Sequence, residues 1–391
     1  MTRPGRFVTA GIGTVAALLM LWLSVGANIK RSCIVMDAPY LPVCQGTEQS
    51  GSPARLATLK RNIAANPGDA GAYVGLAFFS PGATREAMLR AATTVAPNDP
   101  NVLRARAVLA LEREDWAQAV PPLVQLAQYY RQFTEEPIVI LAHMIGAGHG
   151  ALLQPYVQPG SDWFPQVVDQ VVHLKLPLAG VLPLVRHASA NRAMPPDRLR
   201  AFIRTLKHNG EWVDAYGLWL GQHKGQVPIL YNAGFEHDFQ PDGFDWEVTP
   251  TIPGRAGARA ETRPFPHRGQ VLEILYTGNS MPTPTVRQHL LLAPGRYRLA
   301  GYYMTAKLRS DNGLAWAVRC VANAKAPLAG QSAALLDTGG EWKGFDFEFT
   351  VPEDCGPVAS LQLETFAPFE ATAGLRGRAY FDALSLQREP S

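Results

Sequence analysis

The sequence has little net charge and few cysteines, and both shortages exclude classes of protein. Its 36 Lys and Arg residues nearly balance its 33 Asp and Glu residues, which leaves a formal net charge of +3. A nucleic-acid-binding surface needs a strong basic excess, so we expect no nucleic acid among the partners. The four cysteines include no pair with the short spacing of a zinc knuckle, and we expect no zinc site of that kind.

Motifs that mark common catalytic sites are also missing. The sequence contains no His-Glu-x-x-His, G-x-S-x-G, Walker or dinucleotide-binding motif. The spacing of His143 and His149 does not place them on one face of a helix. Acids for glycoside hydrolysis could come from Glu247, Glu261 or Glu273, but such an enzyme needs two carboxylates in one cleft. We therefore expect a non-catalytic protein, with a glycan-processing enzyme as the remote alternative.

The N-terminus carries a long uncharged segment. Phe7 to Ala27 is a run of about 21 residues, long enough to span the hydrocarbon core of a bilayer. Arg3 and Arg6 precede it, which favours an N-terminus on the cytoplasmic side. A buried helix of a soluble protein is the alternative, but the run has no polar face. Val25-Gly26-Ala27 also resembles a cleavage site, so we interpret residues 1–28 as either a transmembrane anchor or a removed signal peptide. Both interpretations export the remainder of the chain.

The four cysteines form two local pairs, Cys33 with Cys44 and Cys320 with Cys355. An even number of cysteines behind an export signal favours disulfide bonds, with free buried thiols as the alternative. The first pair lies within residues 29–53, where proline and glycine occur among polar residues. This composition predicts a tether.

Residues 54–226 have the periodicity of helices. Small residues recur there in two pairs, Gly75 with Ala87 and Ala107 with Ala119; each pair is 12 residues apart and the second is offset by 32. Small residues at such positions let paired helices approach closely. The pattern resembles the tetratricopeptide repeat, which implies an α-solenoid of helical hairpins with a protein-binding surface. An ordinary helical bundle is the alternative.

Residues 229–391 predict an antiparallel β-sandwich. Apolar and polar residues alternate in short stretches such as Val286–Leu292 and Phe345–Phe349, and turns rich in glycine, proline and asparagine separate such stretches. No helical period intervenes, which favours two packed antiparallel sheets. We therefore expect a multidomain chain, α then β.

Short motifs follow one another along this second half: Asn232-Ala-Gly-Phe-Glu236, Pro294-Gly-Arg-Tyr297, Trp342 before a phenylalanine-rich strand, and Tyr380-Phe-Asp382. In this order they resemble the jelly-roll carbohydrate-binding modules of the galactose-binding-like superfamily, over about residues 229 to 388. In that superfamily a calcium ion often links the opening strand to the closing one. The resemblance thus implies one structural calcium ion on Glu236 and Asp382, with a hydrogen-bonded pair of carboxylates as the alternative.

Sugar binding in such modules uses exposed aromatic rings, which stack on the C–H-rich faces of sugars. The resemblance makes Trp316, Tyr302 and Tyr303 the candidate ligand-binding residues. Trp316 is favoured because it lies near the turn residues Asp311-Asn-Gly313. Tyr302 and Tyr303 point to opposite faces of a strand, and the resemblance places Trp342 inside the sandwich. A position in the core is the alternative for each ring.

These features together predict a non-catalytic protein anchored in a bacterial inner membrane by one helix, with most of the chain in the periplasm. We expect the helical domain to bind envelope proteins. We expect the sandwich to bind a polysaccharide during its assembly or export to the cell surface. A purely protein-binding scaffold is the alternative, because many jelly rolls of this superfamily mediate only protein contacts.

Overall fold

The structure is a computed structural model that describes residues 53–130, 132, 134–223, 226–250, 256–321 and 327–390. The chain divides into two compact units between Ala193 and Met194. Helices build the first unit, and the second consists of two helices followed by strands. The expected order, α then β, is confirmed. The predicted anchor at 1–28, the tether up to residue 52 and the Cys33–Cys44 pair lie outside the described residues.

The described part of the first unit contains eight α-helices, a π-helical turn and two 3-10 turns. The α-helices are α1 Pro53–Ala65, α2 Ala70–Phe79, α3 Gly82–Val95, α4 Pro100–Glu112, α5 Trp116–Tyr129, α6 Glu135–Met144, α7 Trp163–His173 and α8 Leu182–Ala190. The π-helical turn is Ile145–His149, and the 3-10 turns are Gly150–Tyr156 and Leu178–Gly180.

Aspartates stabilise the starts of three of these helices. Asp69, Asp99 and Asp115 accept hydrogen bonds of 2.8 to 3.2 Å from backbone N–H groups in the first turns of α2, α4 and α5. These N–H groups have no partner within the helix itself. The aspartates therefore define where each helix begins.

Helices α2 and α3 pack together, as do α4 and α5. A Cβ atom at Gly75 would lie 3.0 Å from the side chain of Leu59 on α1, so a small residue is needed there. Ala107 and Ala119, the small residues of the second pair, are buried. Neighbouring helices therefore pack in pairs, and their repetition as a tetratricopeptide-like solenoid stays a prediction.

Reciprocal ion pairs join α3 of the first hairpin to α4 of the second. Arg85 donates to both carboxylate oxygens of Glu112, at 2.6 and 3.2 Å, and Arg113 pairs with Glu86. Exposed pairs of this kind contribute about 1 kcal/mol or less. Arg85 lies on α3 and Arg113 directly follows α4, so each hairpin contributes one arginine and one glutamate to the contact.

Glu135–Tyr156 is the one helical stretch, in the part of the chain the structure describes, that is long and apolar enough to cross a membrane. It comprises α6 and the turns that follow, and Gly148 interrupts it with a φ of 93°. Leu141, Ile145 and Leu153 are fully buried within the unit. A core helix of a globular unit meets the same criteria, so this stretch is weak support for a membrane span.

The second unit begins with two helices, α9 Pro196–His208 and α10 Trp212–Leu220. Ten strands follow, with the short helix α11 Pro368–Ala373 before the last. The strands are β1 Glu247–Val248, β2 Ala258–Phe265, β3 Gly269–Thr277, β4 Val286–Leu291, β5 Gly295–Arg309, β6 Leu314–Cys320, β7 Leu328–Gln331, β8 Lys343–Val351, β9 Val358–Thr365 and β10 Arg376–Arg388. They form two five-stranded antiparallel sheets, β1-β4-β9-β6-β7 and β2-β3-β10-β5-β8. The predicted antiparallel β-sandwich is confirmed.

Aromatic rings fill the space between the two sheets. Trp246, Trp316 and Phe381 are fully buried there. The ring centroid of Trp316 lies 5.6 Å from that of Trp246 and 5.3 Å from that of Phe381. Near this core Cys320 and Cys355 form a disulfide with their Cα atoms 4.9 Å apart, so the predicted bridge is present.

Helices α9 and α10 belong to the same compact unit as the sandwich. The ring of Trp219 on α10 lies 5.6 Å from that of Phe244, in the loop that leads to β1. The ammonium group of Lys207 on α9 donates to Glu247 on β1 at 2.7 Å. These contacts join the two helices to the sandwich, in agreement with a division of the chain before α9. The sequence instead indicates a boundary after α10, between residues 226 and 229.

Glu247 is the centre of a buried polar cluster between α9 and the first sheet. Its carboxylate lies 2.7 Å from Lys207, 2.8 Å from Nε of Arg287 and 3.3 Å from Nδ1 of His289. Burial raises the pKa of Glu247, but the hydrogen bonds and charges of His289 and Lys207 outweigh burial and lower it below its usual value. Burial lowers the pKa of His289 more than the hydrogen bond with Glu247 raises it. At neutral pH the cluster therefore pairs an ionised carboxylate with a neutral imidazole.

Candidate functional site

The structure separates the three aromatic residues that the resemblance suggests as ligand-binding. Trp316 on β6 is 0% exposed, and its ring lies between the sheets, so the prediction of an exposed platform at Trp316 is wrong. Tyr303 on β5 is 8% exposed and is also a core residue, because its side chain points to the inner face of its sheet. Tyr302, its neighbour, points the other way and is 47% exposed.

Asp382 on β10 lies beside Tyr302 on this outer face of the second sheet. The two residues are register partners between β10 and β5, and Tyr380 and Met304 are partners two residues further along. Residues directly opposite one another in an antiparallel pair share a face. These four side chains therefore belong to one surface.

Arg268, in the turn between β2 and β3, reaches the same surface. Its guanidinium donates to the carboxylate of Asp382 at 2.8 Å. It also lies 4.1 Å from the ring centroid of Trp342 and 5.1 Å from that of Tyr302, distances at which a cation is attracted to an aromatic ring. His267, one residue earlier, has a φ of 63°, the left-handed conformation found in tight turns. The turn thus places a cation against two rings.

Trp342, which the resemblance places in the core, lies on the outer face. It immediately precedes β8 and packs against the outside of the second sheet. Its ring centroid is 5.5 Å from that of Phe265, which in turn is 5.6 Å from that of Tyr380. With Val271 and Met304 these rings form a small apolar cluster distinct from the main core. Val271, Met304 and Tyr380 are buried, so the partly exposed rings of Trp342 and Phe265 lie at the border of this cluster.

Next to these rings a buried carboxylate holds two arginines. Glu273 on β3 accepts hydrogen bonds from Arg263 at 2.8 Å and from the hydroxyl of Tyr380 at 3.1 Å, and it lies 3.4 Å from Nε of Arg378. The bond with Glu273 raises the pKa of Arg263, and burial raises the pKa of Tyr380. Both groups therefore stay protonated at neutral pH.

The two acids suggested as calcium ligands both lie near the β2–β3 turn, and each has a partner of its own. Glu236 accepts a hydrogen bond from the backbone N–H of Gln270 at 3.3 Å. Asp382 accepts from Arg268 and, at 2.6 Å, from the backbone N–H of Ala383. A guanidinium held against Asp382 repels a dication, so the residues as placed do not fit a bridging calcium ion. The calcium ion stays a prediction that metal removal tests.

The acids considered for a glycosidase are distributed over both sheets. Glu247 belongs to the first sheet, whereas Glu261 and Glu273 are register partners in the second. Each has a lysine or arginine nitrogen within 2.8 Å. Among the residues that the structure describes, no group of three or more His, Cys, Asp and Glu could hold a metal ion.

Sequence reasoning missed Arg268 and Phe265. Both lie at the β2–β3 turn, and a basic residue in a turn gives no sign of the aromatic rings it will contact. The useful signal was the glycine at 269, which marks a tight turn between two alternating stretches. This glycine predicts the turn, but it does not show which residues of other strands will contact the turn.

No family model and no curated protein matches the chain. Solved structures similar to the sandwich include one described as "CBM4 structure and function", which is 16% identical with a TM-score of 0.33 and covers 41% of this chain and 99% of its own. The CBM22-1 xylan-binding domain from Paenibacillus barcinonensis Xyn10C is 14% identical with a TM-score of 0.30, covering 41% and 93%. A putative sugar binding protein from Bacteroides thetaiotaomicron is 9% identical with a TM-score of 0.31, covering 41% and 100%. Identities and TM-scores this low carry no argument about function.

Proposed function

We propose that the second unit binds a glycan on its outer aromatic face, which consists of Tyr302, Trp342, Phe265, Arg268 and Asp382. The observation that carries the proposal is that Tyr302 is 47% exposed beside an arginine stacked on Trp342. This arrangement presents a half-exposed ring beside an arginine that can donate hydrogen bonds. It is the combination that a sugar, apolar on one face and rich in hydroxyl groups at its rim, requires.

Each part of the outer aromatic face suits one part of a sugar. The ring of Tyr302 is rigid, so stacking a pyranose on it orders few bonds. The guanidinium of Arg268, whose side chain is 25% exposed, can donate hydrogen bonds to the oxygen atoms of sugar hydroxyl groups, while Asp382 holds it in place. Because the ion pair and Trp342 already hold the arginine, little side-chain freedom is lost on binding.

The rest of the chain supports a non-catalytic envelope scaffold around this site. The uncharged run from Phe7 to Ala27 suits an anchor in the inner membrane, with the bulk of the chain in the periplasm. The Cys320–Cys355 bridge suits that oxidising compartment. Hairpins aligned by the Arg85–Glu112 pair suit a tetratricopeptide-like solenoid that binds envelope proteins. A protein-binding unit joined to a glycan-binding one suits the assembly or export of a cell-surface polysaccharide.

The test is binding of a panel of bacterial polysaccharides to the full chain in detergent. We expect at least one to bind, and Tyr302→Ala to weaken that binding about tenfold through loss of ring stacking. Tyr129→Ala is the matched control, because Tyr129 is 73% exposed but lies in the helical unit. If no polysaccharide binds, or if Tyr302→Ala binds like the control, the glycan function fails and the protein-binding scaffold replaces it.

A further inference from the structure

Two arginines beside the outer aromatic face, Arg263 and Arg378, are more exposed to solvent than the acid that pairs with them. The side chains of Arg263 and Arg378 are 54% and 48% exposed, whereas that of Glu273, their shared partner, is 3% exposed. A ligand approaching from solvent therefore meets guanidinium groups before it meets the carboxylate. The accessible part of this group is therefore cationic.

The charges of Glu273 and its two arginines do not cancel. Glu273 is one carboxylate facing two guanidiniums. The other ion pairs of the same region, Arg268 with Asp382 and Arg259 with Glu261, join one charge to one. The group formed by Glu273, Arg263 and Arg378 therefore carries one positive charge in excess.

The excess charge lies on the same face as the rings. Arg378 is two residues from Tyr380 and four from Asp382 on β10, and four residues of a strand span about 13 Å. Tyr380 contacts Phe265 and bonds Glu273, so it connects the rings to the arginine pair. One oligosaccharide lying on the face can therefore reach both.

We infer that the glycan is acidic, a polysaccharide with uronate residues whose carboxylate is bound by Arg263 and Arg378 while a neighbouring sugar stacks on Tyr302; this rests on the proposed function. A guanidinium has five N–H donors in a planar fork that matches a carboxylate. The contacts with Glu273 engage one nitrogen of each arginine. Each arginine therefore has further donors for a ligand carboxylate.

The first experiment compares acidic and neutral forms of the same polymers on the full chain. The probes are polygalacturonate, alginate and hyaluronan, each with its carboxyl-reduced form, in which a hydroxymethyl group replaces the carboxylate. We expect at least one acidic polymer to bind about tenfold or more tightly than its reduced form, because charge-assisted bonds to carboxylate are lost. Added salt should weaken binding of the acidic form more than binding of the reduced form.

The second experiment assigns the preference to residues. The triple variant Arg263→Gln, Arg378→Gln and Glu273→Gln removes both arginines together with their acid, so no buried carboxylate is left without a cation. We expect it to bind the reduced polymer like the wild type and to lose the tenfold preference for the acidic one. Arg204→Gln is the control, since Arg204 is an exposed arginine paired with Asp242 on the same unit. It should retain the preference.

The outcomes separate this inference from the function beneath it. Equal binding of acidic and reduced forms by the wild type overturns the acidic ligand and leaves the glycan function in place. A preference that persists in the triple variant overturns the assignment to Arg263 and Arg378. Absence of binding to all three polymers in both forms, when a neutral polysaccharide of the panel does bind, overturns the acidic ligand and leaves the glycan function in place. Absence of binding to these probes and to the whole panel overturns both proposals. The comparison of reduced and acidic polymers needs no variant, so it decides the first point even where the triple variant does not fold.

Discussion

The guanidinium of Arg268 donates a 2.8 Å hydrogen bond to the carboxylate of Asp382, 114 residues away in the sequence. The side chain of Asp382 is 9% exposed, so the pair is largely screened from water. It ties the β2–β3 turn to the last strand of the sandwich. This is the kind of connection for which the family resemblance implies a calcium ion.

Removing this arginine should destabilise the protein. Arg268→Gln leaves the carboxylate of Asp382 buried without its cation, and we expect the free energy of unfolding to fall by about 2 kcal/mol. Urea denaturation of the full chain measures it. Arg259→Gln, which breaks an exposed pair with Glu261, should cost less than about 1 kcal/mol. Equal effects of the two substitutions would contradict the structural role of Arg268.

Metal removal distinguishes the arginine from calcium. Because Arg268 neutralises Asp382, we expect a chelator to leave the melting temperature of the full chain unchanged. A melting temperature that falls in chelator and recovers with calcium would reinstate the ion on Glu236 and Asp382. In that case Glu236→Ala should abolish the calcium response.

Acid should destabilise the second unit through His289. An unfolded histidine takes up a proton near its ordinary pKa of about 6.5, whereas burial lowers the pKa of His289 in the folded protein. As the pH falls below this value, protonation favours the unfolded state, at up to about 1.4 kcal/mol per pH unit. Denaturation between pH 7 and pH 5 should show a shallower loss of stability in His289→Gln than in the wild type. His208→Gln, at an exposed histidine of α9, should keep the wild-type slope, and three equal slopes would refute the idea.

The disulfide should contribute a large part of the stability of the sandwich. Cys320 and Cys355 close a loop with a sequence separation of 35, which corresponds to about 3–4 kcal/mol in the chain-entropy model. We expect the double variant Cys320→Ala and Cys355→Ala to lose about that amount. Thiol labelling of the unfolded, unreduced protein should modify neither residue, and labelling after reduction, the control, should modify both. Labelling before reduction would show that the bridge does not form.

The N-terminal run predicts the topology. We expect Phe7 to Ala27 to export the chain, so a phosphatase that is active only outside the cytoplasm, fused after Ser391, should be active in cells. Deleting residues 1–28 should abolish that activity and supplies the control. Activity that survives the deletion, or is missing from the intact fusion, would remove the export interpretation.

Features of the fold that depend on local sequence were predicted correctly. The order of helical and β regions follows from the periodicity of apolar residues, which is 3.6 in a helix and 2 in a strand. The short helix α11 within the sandwich is the exception, because six residues are too few to show a helical period. The alternation that sends Tyr302 and Tyr303 to opposite faces follows from the geometry of one strand. The pairing of Cys320 with Cys355 follows from their being the two cysteines of one domain. None of these predictions requires knowledge of which strands are neighbours.

Only the tertiary structure decided which rings are covered, because burial depends on neighbours that are distant in the sequence. Trp316 was expected outside and is buried because Trp246 and Phe381 close around it from other strands. Trp342 was expected inside and lies outside against Phe265 and Arg268. The sequence by itself determined the helical hairpins, the sandwich and the opposite faces of its strands. Alternation of side chains along a strand defines two faces, but it does not show what each face packs against. The order of the strands in the sheets determined which face holds the core and which carries the arginines and rings.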